Sequence, residues 1–187
     1  MRLSELAIYL KRGVTPKYTE NGICVLNQKC VRNNQIDYGY SRKTSTDKIY
    51  DKEKFLVPGD ILINSTGAGT LGRIAYFPGY SEPVLVDSHV TILRIKEGYP
   101  SIVLAYYLFS MESYIGTLGK GSTNQLELGR DTLLRLDIPE LSDEELKSYK
   151  DIFSGINGLI RKYKNQISIL EEMAQRTCTE CFHNDSL

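Results

Sequence analysis

The chain has 187 residues, of which 41% are hydrophobic and 25% charged, a composition typical of a folded globular protein rather than a disordered one. Its 23 basic and 23 acidic residues cancel, so net charge alone indicates no polyanionic partner. No secretory signal and no apolar run of about 20 residues are visible, so we expect a cytoplasmic protein with reduced cysteines.

The first part of the chain predicts short elements joined by turns. Residues 3–12 have the apolar spacing of a short amphipathic helix, and Asn33-Asn34 predicts a turn. Segments rich in β-favouring residues predict strands at 23–27, 55–64, 73–77 and 84–95. Residues 99–114 then predict a helix, and residues 133–138 predict a last strand.

The last part of the chain predicts one long helix. Ser142-x-x-Glu145 is a capping box with an acidic first turn, and no proline follows before Cys181. Apolar residues then repeat at heptad spacing. The residues expected to contact a partner, which we call the helix seam, are Ile152, Ile156, Leu159, Tyr163, Ile167 and Leu170. A helix this long cannot bury such a stripe alone, so it either folds back on the body or pairs with a helix of a second copy or another subunit.

One glycine pattern has the form of a dinucleotide-binding loop, Gly67-x-Gly69-x-x-Gly72 after a strand-like run. Such a loop must open a helix, because the helix N-terminus holds the pyrophosphate. Only five residues separate Gly72 from the breaker Pro78-Gly79, and three of them favour β structure. No helix fits there, so we predict a tight turn that lets two strands approach closely.

Three other motifs lack the spacing of a catalytic or metal site. Gly119-Lys120-Gly121-Ser122-Thr123 does not have P-loop spacing, and this loop either reaches a phosphate or base edge or is simply solvated. Asp87-Ser88-His89 cannot form a relay within a strand, so we expect His89 to be a half-buried strand residue. Cys178-x-x-Cys181 lacks the second ligand pair of a zinc site. We therefore expect no catalytic centre, metal or cofactor in this chain.

Charge is distributed unevenly along the chain. Residues 1–135 carry 17 Lys/Arg and 13 Asp/Glu, whereas residues 136–187 carry 6 and 10. The most basic stretch, 11–48, has eight Lys/Arg against three Asp/Glu and includes several amides with Tyr38 and Tyr40. Amides and guanidiniums make two-pronged contacts to purines in the major groove. The pattern is that of a candidate basic body for a polyanion such as DNA and an acidic end with another role, and the alternative is that these side chains are ordinary surface residues.

Several blocks of sequence, in the same order, resemble the specificity subunit of Type I restriction–modification systems. They are LSELAIYLKRGVTP, GICVLNQKCVRNNQID, PGDILINSTGAGTLGRIAYF, VDSHVTILR, GSTNQLELGRDTLLRLDIP and NQISILEEMAQ. Subunits of this family usually carry two recognition domains and two helices, whereas this chain carries one of each. Two features depart from the family: Pro139-Glu140-Leu141 replaces a PLP-type stretch, and the tail lacks an aromatic run. Docking of a methyltransferase is therefore less securely implied than DNA recognition.

The resemblance implies a mixed α+β fold. Residues 1–140 would form a target-recognition domain with a twisted, mostly antiparallel β-sheet and short helices. Residues 141–181 would form one long coiled-coil spacer helix, and residues 182–187 a tail. About 35 helical residues would extend about 50 Å, which corresponds to about 15 base pairs of duplex.

The function implied is a non-catalytic subunit that reads half of a bipartite DNA site. Two copies would pair through the helix to read an inverted repeat, and would recruit methyltransferase and restriction subunits that bring S-adenosylmethionine, ATP and Mg. The alternative is a non-DNA adaptor that uses the same helix for assembly. Candidates for base contacts are Asn27, Gln28, Arg32, Thr66, Ser122 and Asn124. Candidates for phosphate contacts are Lys29, Lys43, Arg73 and Lys120.

Overall fold

A computed structural model of the chain describes residues 1–121 and 126–183, with side chains as far as residue 181. The strands are β1 Ala7–Arg12, β2 Tyr18–Thr19, β3 Ile23–Leu26, β4 Val31–Arg32, β5 Gln35–Ile36, β6 Arg42–Thr44, β7 Ile61–Asn64, β8 Ile74–Tyr76, β9 Val84–Val86 and β10 Val90–Ile95. The α-helices are α1 Leu3–Leu6, α2 Ser101–Ser110, α3 Glu112–Thr117, α4 Arg130–Leu134 and α5 Asp143–His183. No helix in these described ranges is long and apolar enough to span a membrane.

Two four-stranded sheets form the body. The first has the order β1-β10-β7-β8, and every neighbouring pair is antiparallel. The second has the order β2-β6-β3-β9, in which only β3 and β9 are parallel. β4 and β5 form a separate hairpin. The predicted mixed, mostly antiparallel fold with one long C-terminal helix is confirmed, with the strands divided between two sheets.

The first sheet is buried on both faces. Ile61 and Ile63 of β7 pack with Leu104 of α2 in a core between the sheet and the helices. Leu62, on the opposite face of the same strand, packs with Val86 in a core shared with the second sheet. Burial on two faces explains why β7 is a continuous apolar run without polar alternation.

The run at 84–95, which predicts one long strand, forms two strands in different sheets. β9 pairs with β3, whereas β10 pairs with β1 and β7. Residues 87–89 make the turn between them, because the Asp87 carboxylate accepts the His89 backbone N–H at 2.9 Å. The Asp87 carbonyl accepts the Val90 N–H at 3.1 Å. The expectation of a half-buried strand position for His89 is therefore wrong, since His89 is exposed in a turn.

Two further secondary-structure predictions, near the two ends of the body, are also wrong. The helix predicted at 3–12 stops at Leu6, because residues from Ala7 onward extend along the edge of β10 as β1. The strand predicted at 133–138 is replaced by α4, which is followed by an isolated bridge between Arg2 and Asp137. In both places tertiary pairing outweighs the local pattern.

Turn and cap chemistry is found where the sequence predicts it. Asn33 and Asn34 both have positive φ, 53° and 58°, and join β4 to β5. The Ser142 hydroxyl donates to Glu145 Oε2 at 2.8 Å, and the Glu145 N–H donates back to Ser142 Oγ at 3.3 Å. This capping box starts α5, whose 41 residues extend about 60 Å.

An aromatic cluster near the start of α5 contacts the body. The Phe153 ring stacks on Tyr106 of α2, with ring centroids 4.1 Å apart and planes inclined by 5°. The Tyr106 hydroxyl donates to Asn157 Oδ1 at 2.9 Å. Phe153, the residue after Ile152 of the helix seam, therefore faces the body.

The predicted glycine turn is confirmed between β7 and β8. Gly67, Gly69 and Gly72 have φ values of 111°, 72° and 81°, in the left-handed region that favours glycine. The Gly72 N–H donates to the Asn64 carbonyl at 2.9 Å, and Gly72 lies against the backbone of Gly116. A Cβ at position 72 would lie 2.6 Å from the Gly116 Cα, so the turn is needed for close approach as well as for its φ.

Alanine substitutions separate these two requirements. We expect Gly72→Ala to lower the free energy of unfolding by about 3 kcal/mol, because it adds a backbone clash to an unfavourable φ. Gly69→Ala is the matched control, since no heavy atom lies within 4 Å of its added Cβ, and should cost about 1–2 kcal/mol. Urea denaturation measures both values, and equal losses would contradict the close approach.

Candidate nucleic-acid interface

Several strands end at one edge of the two sheets. The parallel strands β3 and β9 finish side by side, and the Leu26 carbonyl accepts the Asp87 N–H at 2.9 Å. In the first sheet Asn64, the last residue of β7, pairs with Val90, the first of β10. The segments beyond these ends, together with a glycine-rich segment bridged to them through Glu127, form what we call the loop edge. It comprises residues 27–29, 65–73, 87–89, 120–121 and 126–127.

Gln28 packs against the glycine turn. Its backbone carbonyl accepts a hydrogen bond from Asn64 Nδ2 at 2.9 Å, and its side-chain Oε1 accepts one from Thr70 Oγ1 at 3.3 Å. A Cβ at Gly67 would overlap Gln28 Oε1, so this glycine makes room for the amide. The structure thus brings Gln28 next to the 65–73 turn, which is distant in sequence.

Asn27 shapes its own loop. Its Nδ2 donates to the Tyr40 carbonyl at 2.6 Å, and its Oδ1 accepts the Lys29 N–H at 2.8 Å. Both ends of the amide are therefore occupied by backbone groups. A base contact by Asn27 stays a prediction, and it would use the second N–H of Nδ2 or the second lone pair of Oδ1.

Thr66 and His89 meet at the middle of the loop edge. Thr66 Oγ1 lies 2.6 Å from His89 Nδ1. The Asp87 side chain beneath them is 4% exposed, and burial raises the pKa of its carboxyl, although the hydrogen bond from the His89 backbone opposes the shift. The sequence interpretation missed His89 as a site residue. The signal was present, since an Asp that bonds two residues ahead is typical of a turn.

The predicted phosphate contacts differ in their surroundings. Lys29 and Lys120 are exposed on the loop edge. Arg73 Nη2 donates to the Gly69 carbonyl at 2.9 Å, which braces the glycine turn. Lys43 lies within β6 and pairs with Glu82, with Nζ 3.8 Å from Oε2.

The segment that ends the glycine-rich loop is fixed to the loop edge by backbone pairing. Lys120 and Glu127 exchange two backbone hydrogen bonds of 2.9 Å, and Glu127 also bridges to Thr66. Arg12 Nη2 lies 2.6 Å from Glu127 Oε1. The two groups form a close ion pair, but the angles at Nη2 do not meet those of a hydrogen bond. Ser122 and Asn124, two predicted base contacts, lie outside the described residues.

Two arginines lie over tyrosine rings beside the loop edge. The Arg32 guanidinium is 5.1 Å from the centre of the Tyr40 ring, and Tyr40 is tied to Asn27 through its carbonyl. The Arg42 guanidinium is 3.4 Å from the Tyr18 ring centre. Arg32, a predicted base contact, therefore belongs to a cation–aromatic surface next to the loop edge.

The helix seam is exposed along its whole length. The exposed fractions are 52% for Ile152, 39% for Ile156, 54% for Leu159, 58% for Tyr163, 54% for Ile167 and 62% for Leu170. The apolar residues of α5 that contact the body, Phe153 and Ile160, lie beside this stripe. The body thus covers one flank of the apolar surface of the helix and leaves the seam open.

No family model matches the sequence, and no curated protein sequence matches it either. Solved structures do match. The Type I restriction–modification S subunit from M. genitalium aligns at a TM-score of 0.64 and 17% identity, over 91% of this chain and 41% of that one. The chain shares the fold of Type I specificity subunits.

Two further structures give the same result. The HsdS subunit from Thermoanaerobacter tengcongensis aligns at a TM-score of 0.59 and 17% sequence identity, over 88% of this chain and 38% of that one. The third match is a chain from a structure that describes complex assembly and conformational transition of the type I R-M system. It aligns at a TM-score of 0.63 and 18% sequence identity, over 94% of this chain and 42% of that one. The resemblance predicted from the sequence is confirmed as a likeness of fold. This chain spans about two fifths of the length of the specificity subunits it matches.

Asp87→Asn isolates the pH dependence contributed by the buried carboxyl. Burial raises the pKa of Asp87 in the folded chain, so the folded chain holds this proton more tightly than the unfolded chain does. The Asp87 carboxyl therefore stabilises the fold at low pH, and this stabilisation is lost as pH rises through the pKa of Asp87 in the folded chain. Asparagine retains an oxygen for the His89 N–H and has no charge to bury. We expect the unfolding free energy of the wild type to fall, relative to that of the variant, as pH rises above about 4, the ordinary value of a carboxyl pKa.

Urea denaturation of both proteins at a series of pH values measures this difference. Glu97→Gln, which changes an exposed carboxyl in a turn, is the control and should leave the profile close to that of the wild type. Parallel profiles for the wild type and D87N would contradict the account.

Proposed function

We propose that this chain is a DNA-recognition subunit of the Type I restriction–modification kind, in a half-length form with one recognition domain. It binds duplex DNA through the loop edge and has no chemistry of its own. The observation that carries this proposal is the gathering of polar and basic loops at one edge of a fold shared with specificity subunits. Rigid sheets that present loops of free sequence are a common basis for recognition.

The charges of the loop edge favour a polyanion. Lys29, Arg73 and Lys120 are available to phosphates there. Its two carboxylates oppose them weakly, because Asp87 is buried and Glu127 is paired with Arg12 outside the edge. Phosphate contacts of this kind give affinity and position the protein on the duplex.

Polar groups between these cations supply sequence discrimination. The Gln28 amide and the Thr66 hydroxyl lie on either side of the glycine turn, and both offer donors or acceptors to base edges. Arg32, over the Tyr40 ring, extends the surface to the side. Ser122 and Asn124 remain candidates in the same role.

The helix seam is proposed to pair two copies of the chain. Beyond Ile160 the residues of α5 that lie beside the body are charged, Arg161 and Lys164, whereas the seam continues with Ile167 and Leu170. A stripe of this kind is covered by a partner helix in a coiled coil. A second copy is the partner proposed here, because two identical apolar stripes at heptad spacing can cover each other about a two-fold axis.

Such a pair would read an inverted repeat. Two identical recognition domains related by a two-fold axis contact identical half-sites in opposite directions. A 41-residue helix of about 60 Å corresponds to about 18 base pairs, which leaves an unread spacer between the half-sites. Methyltransferase and restriction subunits, with S-adenosylmethionine, ATP and Mg, would be recruited to this assembly.

DNA binding is tested by selecting duplexes from a random-sequence library and measuring affinity for the selected duplex at several salt concentrations. We expect Lys29→Ala and Lys120→Ala each to lower the slope of log K against log salt by about one, because each removes one phosphate contact. Lys150→Ala, on the exposed surface of α5, is the control and should leave the slope unchanged. Failure to select any duplex would refute the proposal, and unchanged slopes in both variants would place the interface elsewhere.

Pairing through the seam is tested by light scattering at micromolar concentration. We expect the wild type to be a dimer and the double variant Ile156→Asp/Leu170→Asp to be a monomer, because charges would have to be buried in the coiled coil. Ser168→Asp adds a charge off the seam and should leave the dimer intact. Circular dichroism checks that the helix persists, and a monomeric wild type would eliminate the homodimer.

A non-DNA adaptor that assembles through the same seam is the alternative. Methylome sequencing of cells with and without the gene separates the two functions. A modified inverted repeat that disappears on deletion supports the restriction–modification assembly, and an unchanged methylome supports the adaptor.

A further inference from the structure

We infer that His89 is an additional DNA-contacting residue, whose protonated ring donates a hydrogen bond to an acceptor atom of the duplex, so that DNA binding takes up a proton. This inference rests on the proposed function and deepens it, because it assigns a residue and an ionic state to the loop edge. The acceptor is a phosphate oxygen or the N7 or O6 atom of a guanine, which offer the same chemistry to an imidazolium.

The position of His89 is fixed by its backbone rather than by its ring. The Asp87 carboxylate accepts the His89 N–H at 2.9 Å, and the Asp87 carbonyl accepts the Val90 N–H at 3.1 Å. The strands on either side belong to different sheets, so the turn is held at both ends. The turn therefore does not need an imidazole at this position, and the exposed ring is available for another role.

The ring is oriented by one hydrogen bond. Nδ1 lies 2.6 Å from Thr66 Oγ1, which leaves Nε2 as the nitrogen for a ligand. In the neutral ring, Thr66 either donates to Nδ1 or accepts from it, and Nε2 is correspondingly a donor or an acceptor. In the protonated ring both nitrogens donate, so Thr66 must accept and its own hydroxyl proton is released for another acceptor. Protonation thus gives the loop edge two donors and one positive charge.

The charged groups around the ring balance this charge only in part. Asp87, in the same turn, interacts electrostatically with the ring, but its carboxyl is buried and accepts the His89 backbone N–H. Glu127 bridges to Thr66 through its backbone, and its carboxylate pairs with Arg12. Lys120, on the same bridged segment, adds positive charge. A duplex would bring a dense row of phosphates to this surface, and that potential favours the protonated ring in the complex.

The experiment measures affinity for the selected duplex at constant salt from about pH 5.5 to about pH 8.5. This range lies on both sides of the ordinary histidine pKa. We expect wild-type affinity to rise by about tenfold from pH 8 to pH 6, since uptake of one proton changes affinity by up to about tenfold per pH unit. His89→Gln should bind with nearly the same affinity at both pH values. His183→Gln, at the only other histidine in the chain, is the control and should behave as the wild type.

NMR of the imidazole gives a readout that a purely structural role would not change. We expect the protonated fraction of His89 at pH 7 to increase when the duplex is added. Two modified duplexes identify the acceptor. Loss of the pH-dependent component with 7-deazaguanine indicates a base contact, and loss with a neutral methylphosphonate linkage indicates a phosphate contact.

The two proposals fail in different ways. Selection of no duplex at any pH would refute the proposed function itself. Selected duplexes that bind wild type and His89→Gln with the same pH dependence would leave DNA recognition standing and overturn the role of His89. Persistence of the pH-dependent component in every modified duplex would overturn it as well.

Discussion

Burial of the first sheet on both faces determines where polar side chains can leave the body. β7 lies between the helical core and the core shared with the second sheet, so its side chains are apolar until the chain passes Asn64. β9 is buried in the same way up to Val86. Polar chemistry is consequently concentrated beyond the ends of the strands, where loops of different sequence can be presented from one fixed frame.

The fold was predictable where local chemistry decides the conformation. Positive φ at Gly72, the turn at Asn33-Asn34 and the capping box at Ser142 each depend on residues close in sequence, and all are found. Predictions failed where distant pairing decides. Residues 7–12 extend because β10 has an open edge, and residues 84–95 divide because two sheets each require a strand. Periodicity alone does not contain that information.

The candidate site was predictable by residue type and loop position but not by the use of each group. Asn27 and Lys43 have the chemistry of DNA contacts, yet one amide holds its own loop and one ammonium pairs with Glu82. His89 was assigned to a strand because the sequence does not show that the chain changes sheets at Asp87. Hydrogen bonds between loops that are remote in sequence, such as Thr70 to Gln28, appear only once the sheets are assembled.

The small contact between the body and α5 has a mechanical consequence. Among the described residues, contacts made by α5 from Phe153 to Ile160, centred on the Tyr106 ring stack and its hydrogen bond to Asn157, hold a helix of about 60 Å. A rotation of α5 by about 10° about this contact displaces the far end of the helix by about 10 Å, which equals roughly three base pairs along a duplex. Substitutions around Tyr106 would thereby change the direction of the far end of α5 without altering any residue of the loop edge.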